Sequence, residues 1–308
     1  LPKKRKNKYI PGLAAFYFKP VYSWTQNEAK NLFRETERET NNQILYEDCI
    51  TGMKSLTPES IDLIIADPPF GLEFTGKESV YNRNSELIQG DYHEIQAKEY
   101  RTFSRNWVKQ LPRIMKKTSS AFIFSGWTNL TDVLLAIEEA NLTMINHIIW
   151  KYQFGVFTKK KFVSSHYHLL WIVKDAKRYF FNKVEHYPLD VWDIPRTYKP
   201  GQKKNGTKLP LNLVEKCIHY CSKPGDLVLD PFLGNGTTAV AAKGHYRHYL
   251  GFEINANMSS IIENALDAIQ LGEFYDPYSE LFKPNIERLI ELYPKAYKEY
   301  LRREKINQ

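Results

Sequence analysis

Apolar residues along the chain gather in short, β-branched runs separated by stretches of helical period. Ile61-Asp62-Leu63-Ile64-Ile65-Ala66 is nearly continuous in Ile and Leu, the pattern of a parallel strand buried on both faces. Ile44–Asp48, Ala121–Phe124, Met144–Lys151, His168–Lys174, Leu227–Asp230 and Tyr249–Glu253 read as further strands. Between them Tyr100–Lys117, interrupted near Pro112, reads as a helix, as does Asn129–Ala140 with apolar Leu130, Val133, Leu134 and Ile137. Leu209–Tyr220, Thr237–Lys243 and Asn257–Gln270 read as helices too. Strands alternating with helices predict an α/β fold with a doubly wound, mainly parallel sheet. This domain spans 43–272. A basic extension with a polar helical run at Glu28–Thr40 precedes it over 1–42, and a charged helical tail broken at Pro284 and Pro294 follows over 273–308. Residues 71–99 form a long polar loop, the kind that serves as a lid or binding loop.

The Ile61 strand runs into Asp67-Pro68-Pro69-Phe70. Two prolines stop the strand and stiffen its exit, because each fixes φ and neither donates to a ladder. A carboxylate, a rigid carbonyl and a ring are thereby held at the end of a strand where open α/β sheets bind ligands. An amino group on a planar base has its lone pair delocalised into the ring. If Asp67 and a neighbouring carbonyl accept its two N–H hydrogens, the lone pair is freed for attack. Phe70 can stack on the base, a contact worth about 1–3 kcal/mol. Taken by itself the motif is also an ordinary acidic turn followed by a packing ring.

A second motif changes that balance. Val228-Leu229-Asp230-Pro231-Phe232-Leu233-Gly234-Asn235-Gly236-Thr237-Thr238 is a strand, a glycine loop and a helix start. Glu253, seventeen residues past Gly236, ends the next strand where an acidic residue holds a ribose diol in nucleotide-binding α/β folds. Ala239 stands where a dinucleotide loop has its third glycine, which points to a smaller nucleoside and away from a dehydrogenase.

Charge adds a partner. The chain of 308 residues carries a formal net charge of +8, which favours a polyanion. Lys3, Lys4, Arg5, Lys6, Lys8 and Lys19 crowd the first twenty residues without an acid. Thirteen Lys or Arg lie between Lys151 and Lys208 against four acids. Tyr152, Phe154, Phe157, Phe162, Tyr179, Phe180, Phe181, Tyr187, Trp192 and Tyr198 interleave with them, the composition of a nucleic-acid surface. A solvated basic face over core aromatics accounts for part of the same pattern. Cys49, Cys217 and Cys221 are too few and too scattered for a disulfide framework or a zinc spacing. No signal segment or span-length apolar run is present, so a reducing cytoplasm is expected.

Together the motifs resemble the S-adenosylmethionine-dependent amino-methyltransferases that act on DNA bases. Asp67-Pro68-Pro69-Phe70 matches their catalytic tetrapeptide, and Asp230 through Thr238 their cofactor loop. The catalytic motif precedes the cofactor loop, the order of the circularly permuted beta class. Glu47-Asp48-Cys49, Ser125-Gly126, Trp150-Lys151, His166 and Val191-Trp192-Asp193-Ile194-Pro195 fall in sequence as further landmarks, over about Ile44 to Leu266. The resemblance implies a Rossmann-like class I methyltransferase fold, circularly permuted, with a small basic target-recognition region. It implies cofactor contacts from Asp48, Cys49, Asp230, Pro231, Phe232, Gly234, Asn235, Gly236, Thr237, Thr238 and Glu253. Gly206-Thr207-Lys208-Leu209-Pro210 matches the run near the methionine carboxylate at Thr207 and Pro210, with its Lys displaced to Lys208, so only Thr207 is carried over.

The target base is expected to leave the duplex, with Asp67 and the Pro68 carbonyl holding its amino group, Pro69 stiffening the turn and Phe70 stacking. No metal is required. Phe70 replaces the commoner Tyr, and Asp before Pro-Pro favours adenine N6 over cytosine N4. Double-stranded DNA is the expected partner, contacted by Lys159, Lys160, Lys161, Arg196, Lys199, Lys203 and Lys204. Its sequence readers are expected within Phe154–Ser165 and Phe181–Asn205. A homodimer and a cognate restriction endonuclease stay open, as do cytosine N4 or RNA adenine as target. A non-catalytic nucleic-acid binder on the same scaffold is disfavoured by the intact Asp67, Glu253 and glycine loop.

Overall fold

The computed structural model describes residues 10–37, 41–70, 95–153, 155, 158–196 and 208–307. In chain order the first elements are α1 (Leu13–Phe16), α2 (Gln26–Glu35), β1 (Gln43–Leu45), α3 (Cys49–Ser55) and β2 (Ile61–Ala66). There follow α4 (Tyr100–Val108), α5 (Leu111–Ile114), β3 (Met115–Ser125), α6 (Leu130–Glu139), β4 (Thr143–Lys151), β5 (His166–Val173) and β6 (Val191–Asp193). The chain continues through α7 (Leu211–Cys221), β7 (Leu227–Asp230), α8 (Thr237–Gly244), β8 (His248–Phe252) and α9 (Ser259–Asp267). It closes with α10 (Tyr278–Leu281), α11 (Ile286–Leu292) and α12 (Pro294–Asn307).

The described residues divide into two compact units. The larger, Asn27–Phe181 with Leu189–Tyr275, holds one eight-stranded sheet in the order β1-β8-β7-β2-β3-β5-β4-β6. All neighbours are parallel except β5, which runs antiparallel to both β3 and β4. Central β2 is covered on both faces, as its apolar run predicts: Ile61, Leu63, Ile64, Ile65 and Ala66 are fully buried. Met53, Tyr100, Trp107, Val108, Ile114, Val133 and Ile137 form one core with Ile61, Ile64 and Ala66. Helix α7 contacts β2 and β3 and buries Leu213, Val214, Cys217 and Ile218. Helices on both faces of a mainly parallel sheet make the fold doubly wound.

The smaller unit, described from Ile10, brings together residues near both ends of the chain. Leu13, Phe16 and Ala296 form its core, and Phe16 stacks on Tyr300 at 5.2 Å between ring centroids. Among the described residues no helix is long and apolar enough to cross a membrane.

Several expected boundaries move, each for a local reason. Met115–Lys117 belongs to β3, not to a helix: Pro112 opens only the short α5, and Met115 turns extended at its end and pairs with Ile61. Lys116 then reaches across to both carboxylate oxygens of Asp62, at 2.6 and 2.7 Å. β1 stops at Leu45, because Asp48 is the N-cap of α3 and accepts the Thr51 N–H at 2.9 Å. The α9 helix ends at Asp267, short of Gln270. The three-residue β6, pairing Trp192 with Trp150, is too short to leave a period in the sequence.

Candidate active site

The sheet places both motifs on one edge. β2 and β7 are neighbours in parallel register, Ile64 opposite Leu229, so the chain exits them side by side at Asp67 and Asp230. β8 is the next strand, and Glu253 follows its last residue, Phe252. Three carboxyl groups thus come together at the C-terminal edge of three adjacent strands.

Each is perturbed in the same direction. Burial raises the Asp67 carboxyl to about 7, with the Asp230 charge pushing the same way and the Arg196 guanidinium opposing. Burial likewise raises Asp230 to about 7, although the Phe232 N–H donates to it at 2.9 Å. Glu253 is raised by burial against backbone donors that include Asn255 N–H and Gly234 N–H, both at 2.8 Å, and Ile254 N–H. An edge lined by three such groups favours a cationic ligand, which relieves their mutual repulsion.

The glycine loop shapes the floor beside them. Gly234 at φ +53° and Gly236 at φ +79° hold left-handed conformations that side chains strain to adopt. A Cβ on Gly236 would press on Ile262 at 3.2 Å. Gly236 is also the N-cap of α8, whose first residues Thr237 and Thr238 are buried. The Glu253 oxygens accept backbone amides, Gly234 on one and Asn255 on the other, and keep lone pairs for a diol. Pro231 is buried, Asn235 is partly exposed, and Phe232 packs on Trp107 and Phe103 with centroids 5.3 and 5.9 Å away. Phe232 is therefore a core residue carrying the loop. Asp48 caps α3, and Cys49 lies buried in the main core, its thiol pushed well up by burial and by Asp48. Thr207 lies outside the described residues.

On the other side of Asp67 stands an aromatic wall. Phe70 faces Tyr167 at 5.1 Å between centroids, tilted by 44°, and its carbonyl accepts a hydrogen bond from the Asn129 side chain. Trp150, Tyr152 and Tyr167 surround the Arg196 guanidinium at 5.5, 4.4 and 4.9 Å. Gln153 clamps the Arg196 backbone, accepting its N–H at 3.0 Å and donating to its carbonyl at 3.2 Å. The Trp150 indole donates to Ile194 at 2.7 Å. Arg196, expected as a DNA contact, lies in an aromatic cage. Its sequence signal is Trp150 and Tyr152 two residues apart, on one face of a strand continuing β4.

The expected stacking surface is corrected in part. Trp192 is buried and donates to Leu189 at 3.0 Å, and Phe181 stacks between Trp171 and Tyr220 at 5.2 and 5.3 Å. These rings pack the fold because the segment after β5 crosses a sheet face that must be covered. Among the described residues expected to stack, Phe162 and Tyr187 are the strongly exposed rings. Lys159, Lys160 and Lys161 are exposed, whereas Lys199, Lys203, Lys204, Phe154, Phe157 and Tyr198 lie outside the described residues, as does the 71–94 part of the polar loop.

Comparison with known proteins identifies the family and the fold. A family described as DNA methylase matches residues 61–264. The type II methyltransferase M.HinfI of Haemophilus influenzae is 31% identical over 260 residues, covering 78% of this chain and 72% of that protein. M2.DpnII of Streptococcus pneumoniae is 27% identical over 239 residues, covering 73% and 89%. Among solved structures, the PvuII DNA methyltransferase, cytosine-N4-specific, shares the fold at TM-score 0.58 and 18% identity over 77% of this chain and 96% of its own. An M1.HpyAVI–SAM complex shares it at TM-score 0.54 and 21% identity, covering 73% and 98%.

Proposed function

The chain belongs to the DNA methylase family of N6 and N4 amino-methyltransferases, and from that membership we propose that it is a site-specific enzyme moving a methyl group from S-adenosylmethionine to the N6 amine of an adenine flipped out of duplex DNA. The observation that carries the reading is the pairing of β2 with β7, which sets Asp67 beside Asp230.

The residues present fit the cofactor. Its sulfonium and ammonium are cations, and the sheet edge offers three carboxyls, Asp230 buried and Asp67 and Glu253 half-buried. Glu253 suits the ribose diol, and the left-handed glycines let backbone approach closely. When bound, S-adenosylmethionine supplies an electrophilic methyl on sulfur. Asp67 in its ionised form and the Pro68 carbonyl accept the two N–H hydrogens of the target amine, aiming its lone pair. Phe70, backed by Tyr167 and tied through its carbonyl to Asn129, holds the ring plane. Positioning supplies most of the acceleration in such a transfer.

Asp67 at the head of the tetrapeptide favours adenine. Likeness to type II methyltransferases supports a cognate restriction endonuclease and a cytoplasmic setting as parts of the same reading; the mass of the protein in solution, from sedimentation, decides whether it pairs with a second copy. Incubation with duplex DNA and cofactor, followed by nucleoside analysis, tests the reading. N6-methyladenine is the expected product. N4-methylcytosine transfers the target, and unmodified DNA overturns the proposal.

A further inference from the structure

The connection between β4 and β5 leaves the sheet at the edge that carries the site. β5 is antiparallel to β3, and β3 is parallel to β2, so His166 opens β5 at the end where β2 runs into Asp67. The two arms stay paired beyond the strands. Tyr152 N–H donates to the Ser165 carbonyl at 2.9 Å, and the Ser164 carbonyl leaves no room for a Cβ at Gly155. Near the tip the Thr158 hydroxyl donates to the Lys161 carbonyl. This projecting finger displays Lys159, Lys160 and Lys161 in a row, followed by Phe162, a residue 99% exposed.

A phenylalanine held wholly in water covers nothing within the described protein. The rings at the root of the same finger behave otherwise: Tyr152 is buried and packs on Trp150 at 5.6 Å. Three cations beside one apolar ring complement a duplex, whose phosphates take the charges and whose stacked bases take the ring. Extruding a base opens a gap in the stack, and an inserted side chain closes it.

We propose that Phe162 is a wedge that enters the base stack as the target base leaves it, with Lys159, Lys160 and Lys161 seated on flanking phosphates. The inference rests on the methyltransferase reading above. The wedge reads no sequence; it lowers the cost of extrusion, so its effect scales with how firmly the target base is held in the duplex.

The test compares wild type with Phe162→Ala and Phe162→Leu on two duplexes, one fully paired and one with an abasic site opposite the target base. On the paired duplex Phe162→Ala should lose about tenfold or more in kcat/KM, and on the abasic-partner duplex about twofold or less. Phe162→Leu should recover most of the loss. With 2-aminopurine at the target position, the fluorescence rise on binding should shrink for Phe162→Ala on the paired duplex alone. Equal losses on both duplexes, or none on either, overturn the wedge. Wild-type protein that methylates neither duplex overturns the methyltransferase reading instead, so the two failures are separable.

Discussion

The backbone N–H of Gly234 donates to Glu253 Oε2 at 2.8 Å, tying the glycine loop to the end of the neighbouring strand. Glu253 therefore shapes the loop as well as offering acceptors to a ribose. Glu253→Gln keeps an oxygen for Gly234 but loses the charge and half the acceptor capacity. We expect S-adenosylmethionine to bind about 10- to 100-fold more weakly, about 1.4–2.8 kcal/mol, with maximal rate on saturating cofactor changed far less. Calorimetry against steady-state kinetics checks the split.

Asp67→Asn replaces an acceptor-only carboxylate with an amide that presents two donors to the target amine. Methyl transfer should fall by about 10²-fold or more, while cofactor affinity changes by only a few fold. Single-turnover transfer and cofactor titration measure the two separately.

The raised carboxyls make activity and stability respond to pH. Protonation weakens Asp67 as an acceptor and turns one of its oxygens into a donor facing the amine, so transfer should decline as pH falls below about 7. Arg196 opposes that rise, and Arg196→Met should move the acidic limb to higher pH. For stability the sign is reversed from that of a salt-bridged acid. Between about 4 and about 7 the folded protein holds protons at Asp67 and Asp230 that the unfolded chain has released. Free protein should thus lose stability as pH rises through that window and level off above it. A cationic cofactor lowers both values, so binding near pH 7 should release protons, measurable by calorimetry in buffers of different ionisation enthalpy.

Replacing Lys159, Lys160 and Lys161 together by Gln removes three exposed charges. The slope of log affinity for duplex DNA against log salt should become shallower by up to about 3. Non-cognate DNA should show the same change, because phosphate contacts carry no sequence information. Filter binding over a salt series on both duplexes decides it.

How far the sequence foretells this molecule depends on how local each cause is. β2 and its Asp67 exit are legible because five fully buried positions in six residues leave an unmistakable run. The glycine loop is legible because its φ values demand glycine at Gly234 and Gly236. The start of β3 is hidden in the sequence because the short helix opened near Pro112 ends at Ile114, directly before the strand's Met115. Of the Arg196 cage only the Trp150–Tyr152 spacing is legible, since the third ring comes from another strand and the cation from a third segment. Trp192 and Phe181 mimic stacking residues in composition, and only their tertiary neighbours identify them as packing.

The pairing of β2 with β7 also sets a timetable for biosynthesis. The Leu227 N–H that meets Asp62 at 3.0 Å lies 165 residues further along the chain. At ribosomal rates of about 5–20 residues per second, the catalytic strand waits on the order of ten to thirty seconds for that neighbour. During that interval one edge of a very apolar strand stands open, a template for wrong pairing. Asp62 sits on that edge, and Lys116, made much earlier, neutralises it only from the β3 side. The Asp62–Lys116 ion pair thus marks the open side of the unfinished sheet until β7 arrives and its Leu227 N–H takes up the carboxylate.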